Sequence, residues 1–218
     1  MSVERIPECT IVGRSSSHFT RVTRIFAAEL GVAHSFRVVP DLLSNDTVDY
    51  GGNPSLKLPA LATPRGTWFG TLSICRELAR VASRERGAQE PKRIVWPEDL
   101  VEPLSANAQE LVLQAMATEV VLVMSRVGGA SEATPYTDKM RRSLTNTLAW
   151  LDDHVAAALA VLPASRDLCF LETTLFCLVT HLEFRQMLPA LPCPALDAFC
   201  RRFSARASAR ETAYRFDA

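Results

Sequence analysis

The spacing of apolar positions changes partway along the chain. Up to about residue 83, short apolar runs alternate with segments of helical period; beyond about residue 101 only the helical period remains. CTIVG (9–13) is an apolar run closed by glycine, which suits a buried strand. FTRVTRIFAAEL repeats apolar residues at Phe19, Val22, Ile25, Phe26 and Leu30, a helical spacing that Gly31 stops. HSFRVVP alternates and ends at Pro40, as a second strand would. Residues 41–56 are dense in Gly, Pro, Asn, Asp and Ser and read as a loop with room for a short helix. KLPALAT and TWFG read as two more short strands, turned at Pro64, Arg65 and Gly66, before LSICRELARVASRE returns to helical period.

A β-α-β unit favours a parallel pair with a right-handed crossover. The order β-α-β, loop, β-β-α is the thioredoxin-like pattern. After it come four helical segments with Gly or Pro punctuation: EPLSANAQELVLQAMATEVVLVMSRVGG, PYTDKMRRSLTNTLAWLDDHVAAALAVL, LCFLETTLFCLVTHLEFRQML and PALDAFCRRFSARA. The charged, proline-containing stretch RERGAQEPKRIVWPEDL reads as a linker. The expected architecture is α/β followed by all-α: a thioredoxin-like domain over 1–83, a linker over 84–100 and an all-helical domain over 101–218.

Composition narrows the function classes. Lys plus Arg and Asp plus Glu are each 24 among 218 residues, so the formal net charge is zero. Nothing electrostatic recommends a nucleic-acid or membrane partner. MSVERIPECTIVG lacks the apolar core of a signal peptide, and no apolar run reaches the roughly 18 residues of a membrane span, so a cytoplasmic protein is expected. The six cysteines, Cys9, Cys75, Cys169, Cys177, Cys193 and Cys200, are spread apart without a CxxC and read as reduced, packed thiols; no metal site is expected.

The candidate chemistry lies in GRSSSHFTRVTR, where three serines and a histidine precede the first helix. Serine is among the best N-cap residues, so Ser15, Ser16 and Ser17 need no further role to stand there. A helix start also carries unpaired amides and about half a positive charge, which favours an anion beside those hydroxyls.

The order of several short motifs adds to this. SHFTRVTRIFAAELGV (17–32) resembles S-P-F-S-R-R-V-R-I-A-L-A-E-L-G-L of the cytosolic glutathione transferases, and NPSLKLPAL (53–61) resembles their N-P-x-x-K-V-P-A-L. TWFGTLSICREL stands where the family has x-L-x-E-S-x-A-I-x-x-Y-L; LCFLETTLFC and CPALDAFCRRFSARAS resemble L-S-x-A-D-I-x-L-F-C and Y-P-A-L-x-A-W-x-x-R-F-x-A-R-P-S. The resemblance covers nearly the whole chain.

It implies a homodimer that takes glutathione as co-substrate and conjugates its thiolate to an apolar electrophile. It places Ser17 at the catalytic serine, with Ser15 and Ser16 as substitutes if the register shifts. His18 reads as a first-turn surface residue or a nearby proton acceptor. Leu58 and Pro59 fall at the family's Val-Pro pair, whose cis peptide presents backbone to the cysteinyl unit; Lys57 would lie near the glycyl carboxylate. Thr71 would cap the next helix and take the γ-glutamyl carboxylate. The Met116, Val120, Val123, Met124 stripe would line a co-substrate pocket or pack in the core.

Two departures stand out. Gly70 replaces the family's acid or amide at the γ-glutamyl end, removing a charge-assisted contact of about 1.5–3 kcal/mol. Cys169 and Glu172 replace the Ser and Asp of a capping box in the helical domain, and cysteine caps poorly. Gly70 keeps a second function class open, a binding protein of the same fold without turnover. A thiol-disulfide oxidoreductase would need a cysteine where Ser17 stands, and Cys9 lies too deep in its apolar run to replace it.

Overall fold

The sheet of the first structural unit has the strand order β2-β1-β3-β4, built from β1 (Cys9–Gly13), β2 (His34–Val38), β3 (Ala60–Thr63) and β4 (Gly66–Phe69). The structure, a computed structural model, describes residues 9–86, 92–130, 134–187 and 191–217. Residues 1–8 of the stretch expected to lack a signal-peptide core, and residues 87–91 of the expected linker, therefore lie outside the described residues. Strand β1 pairs parallel with β2 and antiparallel with β3, which pairs antiparallel with β4. The parallel pair is joined by helix α1 (His18–Leu30), and helix α2 (Thr71–Arg86) follows β4. This is the thioredoxin-like order that the apolar spacing predicts.

Helix α1 packs Val22, Ile25 and Phe26, all fully buried, against the sheet side of the unit. It begins where Ser17 Oγ accepts a hydrogen bond from the Thr20 amide at 3.2 Å, and ends at Gly31, whose φ of 70° is the left-handed conformation that glycine adopts without Cβ penalty. The turn from β1 into α1 depends on Gly13. A Cβ there would overlap the Thr20 side chain, itself fully buried on the first turn of the helix. Helix and strand can approach so closely only because that atom is missing.

Residues 207–217 belong to this first unit, although residues 92–206 intervene in sequence. Helix α7 (Ala207–Glu211) and the chain after it run back along α1. The Ser208 hydroxyl binds Glu29; buried Arg21 donates to the Ala209 carbonyl at 2.9 Å and to Thr212 Oγ1 at 3.5 Å, and stacks 4.2 Å from the Tyr214 ring centroid. Asp217 reaches the start of α1.

The second unit, residues 92–206, is largely helical: α3 (Pro103–Val127), α4 (Pro135–Ala160), α5 (Phe170–Phe184) and α6 (Pro194–Phe203). One expectation is corrected here. Strand signals do not stop at residue 101, because β5 (Ile94–Val95) and β6 (Leu168–Cys169) form a two-residue parallel pair. Within 84–100 the described residues carry the end of α2, β5 and a 3-10 turn at Pro97–Asp99. Segments of two residues carry no periodicity that could have announced them.

The start of α4 has a complete reciprocal cap, Thr134 Oγ1 accepting from the Thr137 amide at 3.1 Å and Thr137 Oγ1 accepting from the Thr134 amide at 3.0 Å. The start of α5 has none. Cys169 makes no side-chain cap, burial pushes its thiol up to about 11, and Glu172 is turned to Arg166 through two hydrogen bonds of 2.9 and 2.7 Å. Met116 of the predicted stripe is core, while Val120 is exposed and Val123 and Met124 are half-buried. All six cysteines are free, five of them buried.

Gly13→Ala is expected to lower stability by about 1–3 kcal/mol, the ordinary cost of forcing an atom into a packed site, read as a lower denaturant midpoint at unchanged m. Cys169→Ser is expected to raise stability by about 0.5–1 kcal/mol by supplying the missing cap, seen as a higher Tm.

Candidate functional site

The register of the first sheet gathers the predicted residues at one edge. Val12 is opposite Ala60, and Ala60 is opposite Phe69. The chain leaving β1 at Gly13, the chain entering β3 at Pro59 and the chain leaving β4 at Gly70 therefore emerge from the same end of the sheet. Both α1 and α2 begin there. At the usual strand spacing, the two helix starts are separated by two strand intervals, roughly 10 Å, with Leu58 and Pro59 between them.

The floor beneath this edge is apolar. Val12, Val39, Tyr50 and Ala60 form a buried cluster, with Leu56 and Leu58 packed against it. Gly51, at φ 68°, lies so near that an added Cβ would stand 3.0 Å from Ala60 Cβ. The loop above is organised by buried Asn53, whose side chain donates to the Lys57 carbonyl at 2.8 Å and accepts from the Ser55 amide at 3.0 Å. Leu56 is thereby held at φ 52°, and the Leu58–Pro59 peptide is cis. Lys57 is exposed and its side chain is free to reach an anion at this edge.

The three serines have different surroundings. Ser15 and Ser16 are buried at 2% and 3% exposure, and Ser17 is half-buried. Because Ser17 Oγ accepts from the Thr20 amide, its own O–H remains available to donate. Capping and donation to a ligand are compatible for this hydroxyl. The Ser15 hydroxyl has no partner among the described residues, and its amide donates to Asp217 Oδ2 at 2.7 Å. Arg14 donates to the Val39 and Pro40 carbonyls at 3.2 and 3.0 Å and brings Nε to 3.9 Å from the same carboxylate. His18, expected at the surface, is instead 1% exposed and lies edge-on to Phe19, 4.6 Å between ring centroids. First-turn position alone does not determine which face of a helix a residue occupies.

At the other helix start, Gly70 takes the capping position and Thr71 is the first helical residue: the Ile74 amide donates to the Gly70 carbonyl at 3.0 Å. Thr71 is therefore one place inside the expected cap, and its amide is among those the helix leaves unpaired. Gly70 has φ 80°, a conformation a side chain rarely adopts, yet an added Cβ would meet nothing within 4 Å. The missing acid has space but not a comfortable backbone.

Other polar groups escaped the sequence reading. Asp217 is 202 residues from its amide partner, and no local pattern marks it. Within the second unit, His181 Nδ1 lies 2.6 Å from Glu119 Oε1, both buried, while Arg185 Nε donates to His181 Nε2 at 3.3 Å. The arginine makes Nε2 an acceptor, which assigns the imidazole proton to Nδ1. In the first unit, the fully buried Glu77 carboxylate is met by Arg80 at 2.7 Å, Arg84 at 3.3 Å and Arg65 at 3.8 Å. A cavity of about 530 Å³ lined by Cys9, Thr63, Arg65 and Arg84 lies at the opposite end of the sheet, away from both helix starts.

No protein-family model matches the sequence, and no curated protein matches it. Solved structures do. A glutathione S-transferase from Methylobacillus flagellatus KT with glutathione bound superposes with a TM-score of 0.71 at 18% identity, over 95% of this chain and all of that one. A glutathione transferase family member from Pseudomonas fluorescens Pf-5 with bound glutathione gives 0.70 at 19% identity, covering 95% and 99% of the two chains. A glutathione S-transferase from Methylobacterium radiotolerans in complex with glutathione sulfonate gives 0.69 at 18%, covering 96% and 97%. The chain has the glutathione S-transferase fold.

Ser17→Ala is expected to cost about 0.5–2 kcal/mol of stability through loss of the α1 cap, whatever the ligand, and Ser17→Asp to recover most of it; chemical denaturation checks both.

Proposed function

We propose that the protein is a member of the glutathione transferase superfamily that binds glutathione along this sheet edge and adds its thiolate to an apolar electrophile. The observation that carries the reading is the pairing of two helix starts at one edge with the proline-led strand between them. An extended tripeptide spans roughly 10 Å, matching the separation of the helix starts. Each start favours an anion through its unpaired amides.

In this reading the thiolate lies at α1, where Ser17 donates its O–H. A hydroxyl that hydrogen-bonds the ionised sulfur more strongly than the thiol lowers the thiol pKa, and the helix start acts in the same direction. The Leu58 backbone, ahead of Pro59, pairs with the cysteinyl unit, and Lys57 attracts the glycyl carboxylate. The γ-glutamyl carboxylate takes the Thr71 amide and hydroxyl at the start of α2. A homodimer, implied by the resemblance, and a cytoplasmic location, read from the apolar pattern of the sequence, complete the proposal.

Gly70 favours a second reading, a protein of this fold that binds glutathione weakly and turns nothing over. With no side chain at that position the substrate ammonium loses one charge-assisted partner, equivalent to roughly ten- to a hundredfold in affinity.

Calorimetry with glutathione and a conjugation assay over standard electrophiles separate the readings. Measurable conjugation that falls at least tenfold in Ser17→Ala supports the enzyme; millimolar or absent binding without turnover supports the binding protein. Gly70→Glu is expected to tighten glutathione ten- to a hundredfold while lowering stability by about 1 kcal/mol for its left-handed backbone. Unchanged affinity in that variant would exclude a γ-glutamyl site at α2.

A further inference from the structure

Asp217 is an acidic side chain seated on a backbone amide at the edge where an anionic ligand would bind, and the chain that carries it is anchored elsewhere. Its Oδ2 accepts from the Ser15 amide at 2.7 Å, its side chain is 7% exposed, and the Arg14 guanidinium lies 3.9 Å away. Beside it the Ser15 hydroxyl, in a residue 2% exposed, has no partner among the described residues. A buried hydroxyl without a partner and an amide satisfied by a carboxylate together describe an anion seat occupied by a group that leaves one donor unused.

We propose that Asp217 is a tethered occupant of this seat, which an incoming anionic ligand must displace. The inference rests on the reading of the α1 start as the thiolate side of a glutathione site. Two negative groups within a few ångströms of the same amide repel strongly at low effective dielectric, so carboxylate and ligand anion exclude one another. Tethering gives the carboxylate a millimolar-scale effective concentration, which lowers the apparent affinity of any competitor. The anchors that bring it there are independent of the carboxylate itself: Ser208 on Glu29, and Arg21 on Ala209, Thr212 and Tyr214. Past them, Arg215 is exposed and Phe216 is 66% exposed, so displacing Asp217 uncovers little apolar surface while Arg21 stays in place. When Asp217 lifts, the Ser15 amide and hydroxyl both become donors to the ligand.

The test uses the full chain and inorganic sulfate as the anion, followed through the Ser15 amide resonance at constant ionic strength. Asp217→Asn is expected to show saturable sulfate binding at least tenfold tighter than the wild type, with Asp217→Glu close to the wild type. Equal affinity in wild type and Asp217→Asn, or no binding to Asp217→Asn, overturns the proposal. Should Asp217→Asn fail to fold, backbone relaxation on the wild type decides. Saturating sulfate is expected to lower the heteronuclear NOE of residues 215–217 and to leave that of 208–212 unchanged. A Ser15 shift with an unchanged NOE at 215–217, or no Ser15 shift at all, overturns it. Glutathione is titrated separately: if neither protein binds it, the glutathione reading fails while the sulfate result still decides the role of Asp217.

Discussion

Helix α1 starts with amides that the helix itself cannot satisfy, and much of the first unit is arranged around them. Ser17 takes the Thr20 amide from inside the cap, and two residues ahead of the cap Asp217 takes the Ser15 amide from 202 residues away. Gly13 lets the strand deliver this start so close to Thr20 that no Cβ fits between them. Arg14 ties the same turn to the Val39 and Pro40 carbonyls beyond β2. A dipolar group that favours negative charge is thereby held rigidly at the sheet edge, before any ligand arrives. Preorganisation of this kind is what makes a helix start useful to bind or ionise a ligand, because the cost of ordering it belongs to folding.

The second helix start is built to the opposite compromise. At φ 80° Gly70 allows β4 to turn directly into α2, and the space where its side chain would be is open. A glutamate there would gain a charged contact with a ligand ammonium but would hold an L-residue in the left-handed region. The chain has the relaxed backbone and forgoes the contact. Two helix starts at the same edge thus differ in what they offer: α1 is rich in hydroxyls, and α2 offers little besides its amides and Thr71.

Legibility from sequence followed the range of the interactions. β1, α1 and β2 were readable because Gly13, Gly31 and Pro40 bound runs of unmistakable period, and the cap at Ser17 is a local event within three residues. The cis bond before Pro59 was expected from a motif and is present. The β5–β6 pair was not readable, since two residues cannot display a period and the partners lie 74 positions apart. The burial of His18 depends on what packs over the helix, which its sequence neighbours do not encode. The pairing of Glu172 with Arg166, in place of a capping box, was hidden for a related reason: both a cap and an ion pair are locally available to that carboxylate, and only the geometry chooses.

The anchoring of residues 207–217 on α1 also bears on the order of events during synthesis. The ribosome delivers α1 early, then the whole of residues 92–206, and only afterwards the residues that accept from Arg21. Until then Arg21, 6% exposed in the folded chain, has neither the Ala209 carbonyl nor the Tyr214 ring, so the earlier-made segment waits for the later one. Contacts spanning 188 to 202 positions form slowly because the intervening chain must be ordered first. The nascent first unit therefore exists for a time without the residues that cover its arginine, and their arrival is timed by the translation of everything between.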